Sequence, residues 1–195
     1  MLTFLLMYVV LPLWVLAGLA DWWCHRRTAI EATTGWRESA SHLVLFLQMG
    51  LGAAIALLLQ INLLALALLA LIFVVHEAST WFELRWVHGK RELFAGEQMI
   101  HSFLEMLPLF ALLALAALHS DAFGRWGEAA EWRLRWKEQP LPAGYLLVAC
   151  LSAILLNLLP LLEEFSRCMR FPGGMVRRHA NCRRPGGRDT PRPPT

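Results

Sequence analysis

The fold is decided by residues 43–75, which read LVLFLQMGLGAAIALLLQINLLALALLALIFVV and contain no charged side chain. As one α-helix this stretch would be about 50 Å long, whereas the hydrocarbon core of a bilayer is only about 30 Å thick. The polar pair near its middle is Gln60 and Asn62. We therefore predict two membrane-spanning helices joined by a tight hairpin at residues 60–62.

The rest of the chain is also apolar. Of its 195 residues, 57% are hydrophobic and 17% are charged, whereas soluble domains carry about 25% charge. We therefore predict an all-α integral membrane protein with five transmembrane helices, four of them bundled around a polar cluster at the cytoplasmic end. The predicted helices are residues 2–23, 38–59, 62–84, 97–119 and 143–162.

The chain divides into a transmembrane helical bundle, residues 1–165, and a basic tail, residues 166–195. The tail is rich in Arg, Pro and Gly, so we predict that it is disordered and cytoplasmic. Besides the surrounding membrane lipids, its eight arginines favour anionic lipid as a partner. Nucleic acid is not a predicted partner, because no folded or aromatic element accompanies the charge.

The basic residues also predict an orientation. Residues 21–42, 76–101 and 163–195 fall on one side of the predicted helices and contain 14 of the 18 Lys and Arg residues. By the positive-inside rule this side is cytoplasmic, which places the N-terminus outside and the C-terminus inside a cell inner membrane. Because Arg26 and Arg27 follow the first apolar run rather than precede it, we predict a retained helix and not a signal peptide.

Four predicted helices each carry acids and an imidazole on one face near the cytoplasmic end. Residues three, four or seven apart share a helix face. The candidate metal ligands are Asp21 and His25, Glu38 and His42, His76 and Glu83, and Glu97 and His101. One such pair alone is more often a solvated helix end, and acids at helix N-termini also suit the helix dipole. The repetition on four helices favours one shared functional pocket.

These residue types match a particular metal chemistry. Imidazole and carboxylate ligands suit iron, manganese or zinc, and the four scattered cysteines form no Cys-x-x-Cys pair. The ligands suffice for two divalent ions, with iron favoured and manganese or zinc as alternatives. Soluble di-iron bundles combine Glu with Glu-x-x-His, so the likeness to them is one of chemistry only. Glu105, about 12 Å deeper than Glu97 by helical rise, is the predicted catalytic proton acceptor.

Three classes of function stay open at this point. The favoured one is an oxidoreductase with a non-haem di-iron centre, which acts on a lipid-soluble substrate with an unidentified redox partner. A metal-dependent membrane hydrolase is the second, although Thr80 stands where His-Glu-x-x-His requires a histidine. The third is a non-enzymatic protein that binds haem through His42 and His101, or that transports metal.

Overall fold

A computed structural model describes residues 1–171 of the chain. Its long helices are α1 (Leu2–Thr28), α2 (Trp36–Leu58), α3 (Leu63–Val87), α4 (Ala95–Leu118) and α5 (Ala143–Arg170). Each is long and apolar enough to cross a membrane. The described part of the chain contains no β-strand, so the prediction of an all-helical fold with five potential membrane spans is confirmed. Most of the basic tail lies outside the described residues.

Shorter elements interrupt or join these helices. A π-helical turn occurs within α1 at Leu6–Val10 and another within α5 at Ile154–Leu158. The link between α1 and α2 contains a 3-10 turn, Ile30–Ala32. The long link between α4 and α5 contains a one-turn helix, Asp121–Gly124, and a 3-10 turn, Ala129–Trp132.

The predicted hairpin between α2 and α3 is confirmed. The Asn62 side chain accepts a hydrogen bond of 3.0 Å from the backbone N–H of Ala65. This is the usual N-terminal cap of a helix, which satisfies one of the free N–H groups of the first turn. The polar residue in the middle of the apolar run therefore marks the start of a new helix.

The long link between α4 and α5 closes this end of the bundle. The backbone N–H of Gln60 donates to the carbonyl of Arg135, at 2.9 Å. The Lys137 ammonium donates to the carbonyls of Ala56 and Leu59, both at 2.9 Å. Burial lowers the pKa of Lys137 below its usual value. The last carbonyls of α2, which have no partner within the helix, thus acquire one from the link.

Two helices extend beyond their predicted ends. Helix α1 continues to Thr28, where Ala29 adopts a left-handed conformation with φ of 49° and ends it. Helix α5 continues to Arg170, so the first residues of the predicted tail are helical. Its last turns bury one face, on which Leu161, Glu164 and Cys168 follow at spacings of three and four. Hydropathy does not detect a helix end that is polar overall but buried on one face. This explains why the predicted fifth helix ended too early.

Helices α1 and α5 approach each other closely at Gly18. The Asn157 side chain lies over this glycine and donates a hydrogen bond of 3.3 Å to the Val15 carbonyl. A Cβ atom placed on Gly18 would collide with the Asn157 amide oxygen. The absence of a side chain at this position therefore allows the contact between the two helices.

We expect Gly18→Ala to reduce the free energy of unfolding by about 1–3 kcal/mol, the usual cost of forcing extra atoms into a packed interior. The control is Gly50→Ala on α2, where an added Cβ meets no atom within 4 Å. That change should be neutral or stabilising by about 0.5–1 kcal/mol, because alanine favours the helix. Denaturant unfolding in mixed micelles measures both variants. Equal stability of the two would contradict the close approach.

Candidate metal centre

Side chains from all five helices come into contact at one end of the described bundle. We call this set the polar cluster. Its members are the acids Asp21, Glu38, Glu83, Glu97 and Glu164, the imidazoles of His25, His42 and His101, and the Arg91 guanidinium. His25, Glu97 and Glu164 have no solvent-exposed surface. Charged groups so deeply buried require partners.

His25 lies at the centre of the polar cluster. Its Nδ1 atom is 3.1 Å from Glu164 Oε2. On the opposite side of the ring, Nε2 is 3.3 Å from Glu97 Oε1 and 3.5 Å from Asp21 Oδ1. One imidazole thus connects α1 with α4 and α5. The extension of α1 beyond its predicted end is what places His25 on the same helical face as Asp21, four residues earlier.

His42 repeats this arrangement on α2. Its Nδ1 atom is 3.2 Å from Glu164 Oε1, and its Nε2 atom is 2.7 Å from Glu83 Oε1. The rings of His25 and His42 are stacked, with centroids 4.4 Å apart and planes 8° apart. Glu164 therefore contacts the Nδ1 atom of both imidazoles, one with each oxygen. Both Nε2 atoms face other carboxylates.

Asp21 contacts His101 as well as His25, so His101 also belongs to the polar cluster. The Asp21 Oδ1 atom is 2.9 Å from His101 Nε2, and it is also the oxygen that faces His25. Although these atoms are close, neither Asp21 Oδ1 nor His25 Nε2 makes a well-formed hydrogen bond to any described residue. Buried polar atoms are nearly always satisfied, and an exception requires an explanation such as strain, a catalytic role or ion binding. The donor atoms here fit a bound cation.

Within residues 1–171, the potential ligand atoms form three overlapping groups, and the atoms of each group lie no more than 4.8 Å apart. The groups are Asp21, His25, Glu97 and His101; His25, His42 and Glu164; and Glu38, His42 and Glu83. Seven of the eight predicted ligands belong to one of these groups. Their assignment as metal ligands stays a prediction, because proximity alone does not establish binding.

His76 is the predicted ligand that the structure leaves outside these groups. It is buried, and its Nδ1 atom has no hydrogen-bond partner among the described residues. Because it lies seven residues before Glu83, it is about 10 Å farther along α3. It lines a cavity of about 110 Å³ beside the polar cluster. Glu105 lines the same cavity and makes no hydrogen bond or ion pair within residues 1–171.

Arg91, in the link between α3 and α4, was not among the predicted residues. Its Nη2 atom is 2.5 Å from both Glu38 Oε1 and Glu97 Oε1, and its guanidinium is almost fully buried. Burial alone lowers the pKa of Arg91, but hydrogen bonds to Glu97 and Glu38 outweigh it and raise the pKa above its usual value. Arg91 is therefore a fixed positive charge between two acids.

Glu164 was also missed, because the predicted fifth helix ended at residue 162. A signal for it is present in the sequence. Asn157, Leu161, Glu164 and Cys168 follow one another at spacings of four, three and four, which is the period of one helical face. All four are buried. Continuing the face of the fifth helix past its apolar segment would have placed Glu164 with the other acids.

Comparison with protein families, with curated proteins and with solved structures finds no match for this chain. The fold and the polar cluster nevertheless define a class. The described chain is an all-helical, membrane-type protein with imidazole and carboxylate groups that could hold a metal ion.

Proposed function

We propose that this protein is a membrane metalloprotein that holds two divalent ions, iron favoured, in the polar cluster, and that it acts as an oxidoreductase on a lipid-soluble substrate. One observation carries the proposal. Asp21 Oδ1 and His25 Nε2 are buried and lie 3.5 Å apart without a well-formed hydrogen bond, and His101 Nε2 lies 2.9 Å from the same Asp21 oxygen. A cation among them would satisfy all three atoms.

The charge of the polar cluster supports the same proposal. Five carboxylates are opposed by one guanidinium, and the three imidazoles add positive charge only when each carries a second proton. Burying uncompensated carboxylates in a membrane protein is costly. Either protonated imidazoles or bound divalent cations can supply the positive charge that Arg91 alone does not, and metal binding to the imidazoles would release their extra protons.

The orientation of the imidazoles divides the ligands into two sets. Glu164 faces the Nδ1 atom of His25 and of His42, so that both Nε2 atoms face away from it. Metal-bound histidines commonly donate their other N–H to a carboxylate, which fixes the ring. The first ion would be held by Asp21, His25, Glu97 and His101. The second would be held by His42, Glu83 and Glu38.

The surroundings support a lipid-soluble substrate. The cavity beside the polar cluster is lined by Trp14, Phe46 and Leu104 as well as by the acids, so a substrate in it would contact both apolar and acidic side chains. Bound iron would supply the redox chemistry. Glu105, which lines this cavity and has no partner of its own among the described residues, is the proposed proton acceptor. We place this end of the bundle at the cytoplasmic face, because most basic residues lie there.

The haem alternative receives less support. The two histidines proposed for it are His42 and His101, but His25 stacks on the first and lies edge-on to the second, with ring centroids 4.4 Å and 6.4 Å away. A planar macrocycle between His42 and His101 would have to displace His25. Non-haem ions fit the observed ring positions without such a change.

Metal analysis of the purified full-length protein tests the proposal. We expect up to two ions per chain and the loss of one ion in His101→Ala, because its Nε2 atom belongs to the first set. The control is His119→Ala, since His119 lies at the other end of α4 and its Nδ1 contacts the Leu115 carbonyl at 3.0 Å. Elemental analysis by mass spectrometry measures both. Trace metal in the wild type, or unchanged stoichiometry in His101→Ala, would refute the assignment. A preparation that contains zinc but no iron would favour the alternative function, a metal-dependent membrane hydrolase.

A further inference from the structure

A second and larger cavity lies between the helices on the side away from the polar cluster. Its volume is about 340 Å³, which is within the range of small-molecule sites, roughly 300–1,000 Å³. We call it the apolar chamber. Helices α1 to α4 and the start of α5 line it, for example through Met7, Gly52, Ile72, Pro108, Leu112 and Tyr145.

Three of the polar side chains that line the apolar chamber are already engaged with backbone carbonyls, and Thr3 is a further polar side chain in the lining. The Tyr145 hydroxyl donates to Met7, and Lys137 donates to Ala56 and Leu59. The His119 ring contacts the Leu115 carbonyl. The rest of the lining is mainly aliphatic. An occupant therefore gains by burying hydrocarbon, since it finds few free hydrogen-bonding groups.

The apolar chamber and the cavity beside the polar cluster adjoin. Trp14 and Met49 line both of them. Along α4 the chamber extends from Leu107 to Leu118, which is roughly 16 Å of helix. It is therefore elongated in the direction of the helices and begins where the cluster cavity ends. The cluster cavity, about 110 Å³, has about one third of the chamber's volume of about 340 Å³.

We propose that the apolar chamber binds the tail of a single-chain acyl or prenyl lipid whose small polar head lies in the cavity beside the polar cluster. This proposal names the substrate class of the proposed function and rests on it. The hydrocarbon chain fills the aliphatic space, and the smaller cavity admits the head. A substrate that enters from the bilayer would thus be held with its head group next to the acids and imidazoles.

Photocrosslinking of the metal-loaded, full-length protein in nanodiscs tests this proposal. The probes are palmitic acid and geranylgeraniol, each with a photoreactive diazirine at the chain end. We expect the probe whose chain type binds, acyl or prenyl, to attach covalently to chamber-lining residues of α4. Mass spectrometry maps the labelled residues. Competition by the same unlabelled lipid distinguishes an acyl from a prenyl tail. Label spread evenly over lipid-facing positions such as Leu71 and Val74, without competition, would overturn the proposal.

Two matched substitutions on α2 sharpen the test. Gly52 lines the apolar chamber, and an added Cβ would meet Ile72 and Leu69 at an ordinary 3.8 Å, so Gly52→Leu should fold and fill the space. We expect it to reduce chamber labelling by about tenfold or more, because the site is occupied. Gly50→Leu, two residues away and outside the chamber, should label as the wild type does. Ala111→Phe, a second chamber-filling change, should reduce labelling as Gly52→Leu does.

Metal content measured on the same samples separates the two proposals. Normal metal content with no specific chamber label would refute the apolar chamber as a tail site and leave the metal proposal intact. Specific label in a protein that contains only trace metal would refute the proposed function but support the chamber. Undiminished label in both Gly52→Leu and Ala111→Phe would place the chain elsewhere on the protein.

Discussion

Replacing Arg91 with alanine is expected to reduce the free energy of unfolding by about 3–5 kcal/mol, because it leaves two buried carboxylates without their counter-charge. The Arg91 side chain is 4% exposed, and its partners Glu38 and Glu97 are 2% and 0% exposed. Removing one member of such a group costs much more than the group as a whole contributes, since the remaining charges stay buried. Denaturant unfolding in mixed micelles measures the loss.

An exposed ion pair at the same end of the bundle provides the control. Arg26 contacts Glu163 at 3.1 Å, with side chains 51% and 40% exposed. Water screens this pair, and Glu163 also contacts Arg167. We expect Arg26→Ala to change the free energy of unfolding by no more than about 1 kcal/mol. If Arg91→Ala were as mild as this control, the fixed-charge role of Arg91 would be wrong.

The Arg91 variants also report on the metal proposal. In Arg91→Ala the carboxylates of Glu38 and Glu97 lose their guanidinium, so added Mn²⁺ or Fe²⁺ should raise the unfolding temperature of this variant more than that of the wild type. In Arg91→Lys, the rise in unfolding temperature on adding metal should lie between those of Arg91→Ala and the wild type. The lysine ammonium keeps the positive charge but lacks the fork geometry with which Arg91 contacts both acids. An equal response to metal in all three proteins would indicate that Glu38 and Glu97 take no part in binding.

The features that sequence could predict are those fixed by length and period. The uncharged run of residues 43–75 is too long for one bilayer crossing, so it had to contain a break. Asn62 indicated the position of that break, and it caps the N-terminus of α3. Spacings of four residues placed Asp21 with His25 and Glu38 with His42 on single helix faces. Because consecutive antiparallel helices bring alternate ends together, connectivity then predicted that these pairs lie at one end of the bundle.

The features that sequence did not predict depend on packing between elements. The end of α5 was misplaced because hydropathy falls where Glu163 and Glu164 begin, although one face of the helix stays buried to Cys168. Arg91 belongs to a link, and no periodicity specifies where a link side chain folds. His76 shares a helix face with Glu83 but lies about two turns away from it along α3. Sequence spacing does not show how far along the bundle axis the ligands of the other helices lie, so it could not show that His76 is outside their groups.

Glu164→Gln is expected to weaken metal binding by about 10–100-fold, the usual effect of removing a carboxylate that orients ligand imidazoles. Glu164 offers one oxygen to the Nδ1 atom of His25 and the other to the Nδ1 atom of His42. Glutamine keeps one accepting oxygen, while its NH₂ group can only donate. One of the two rings therefore loses its acceptor, and its Nε2 atom is no longer held toward the other ligands.

The adjacent residue supplies a matched control for this experiment. Glu163 is 40% exposed and contacts Trp22, Arg26 and Arg167, but no imidazole of the polar cluster. Glu163→Gln should therefore bind metal as the wild type does, measured by competition with a chelator of known affinity. Glu164→Asp should recover part of the affinity, because it restores two accepting oxygens on a shorter side chain. If Glu164→Gln lowered only the stability of the metal-free protein and left metal affinity unchanged, Glu164 would be a packing residue. The two ligand sets would then have to be assigned without it.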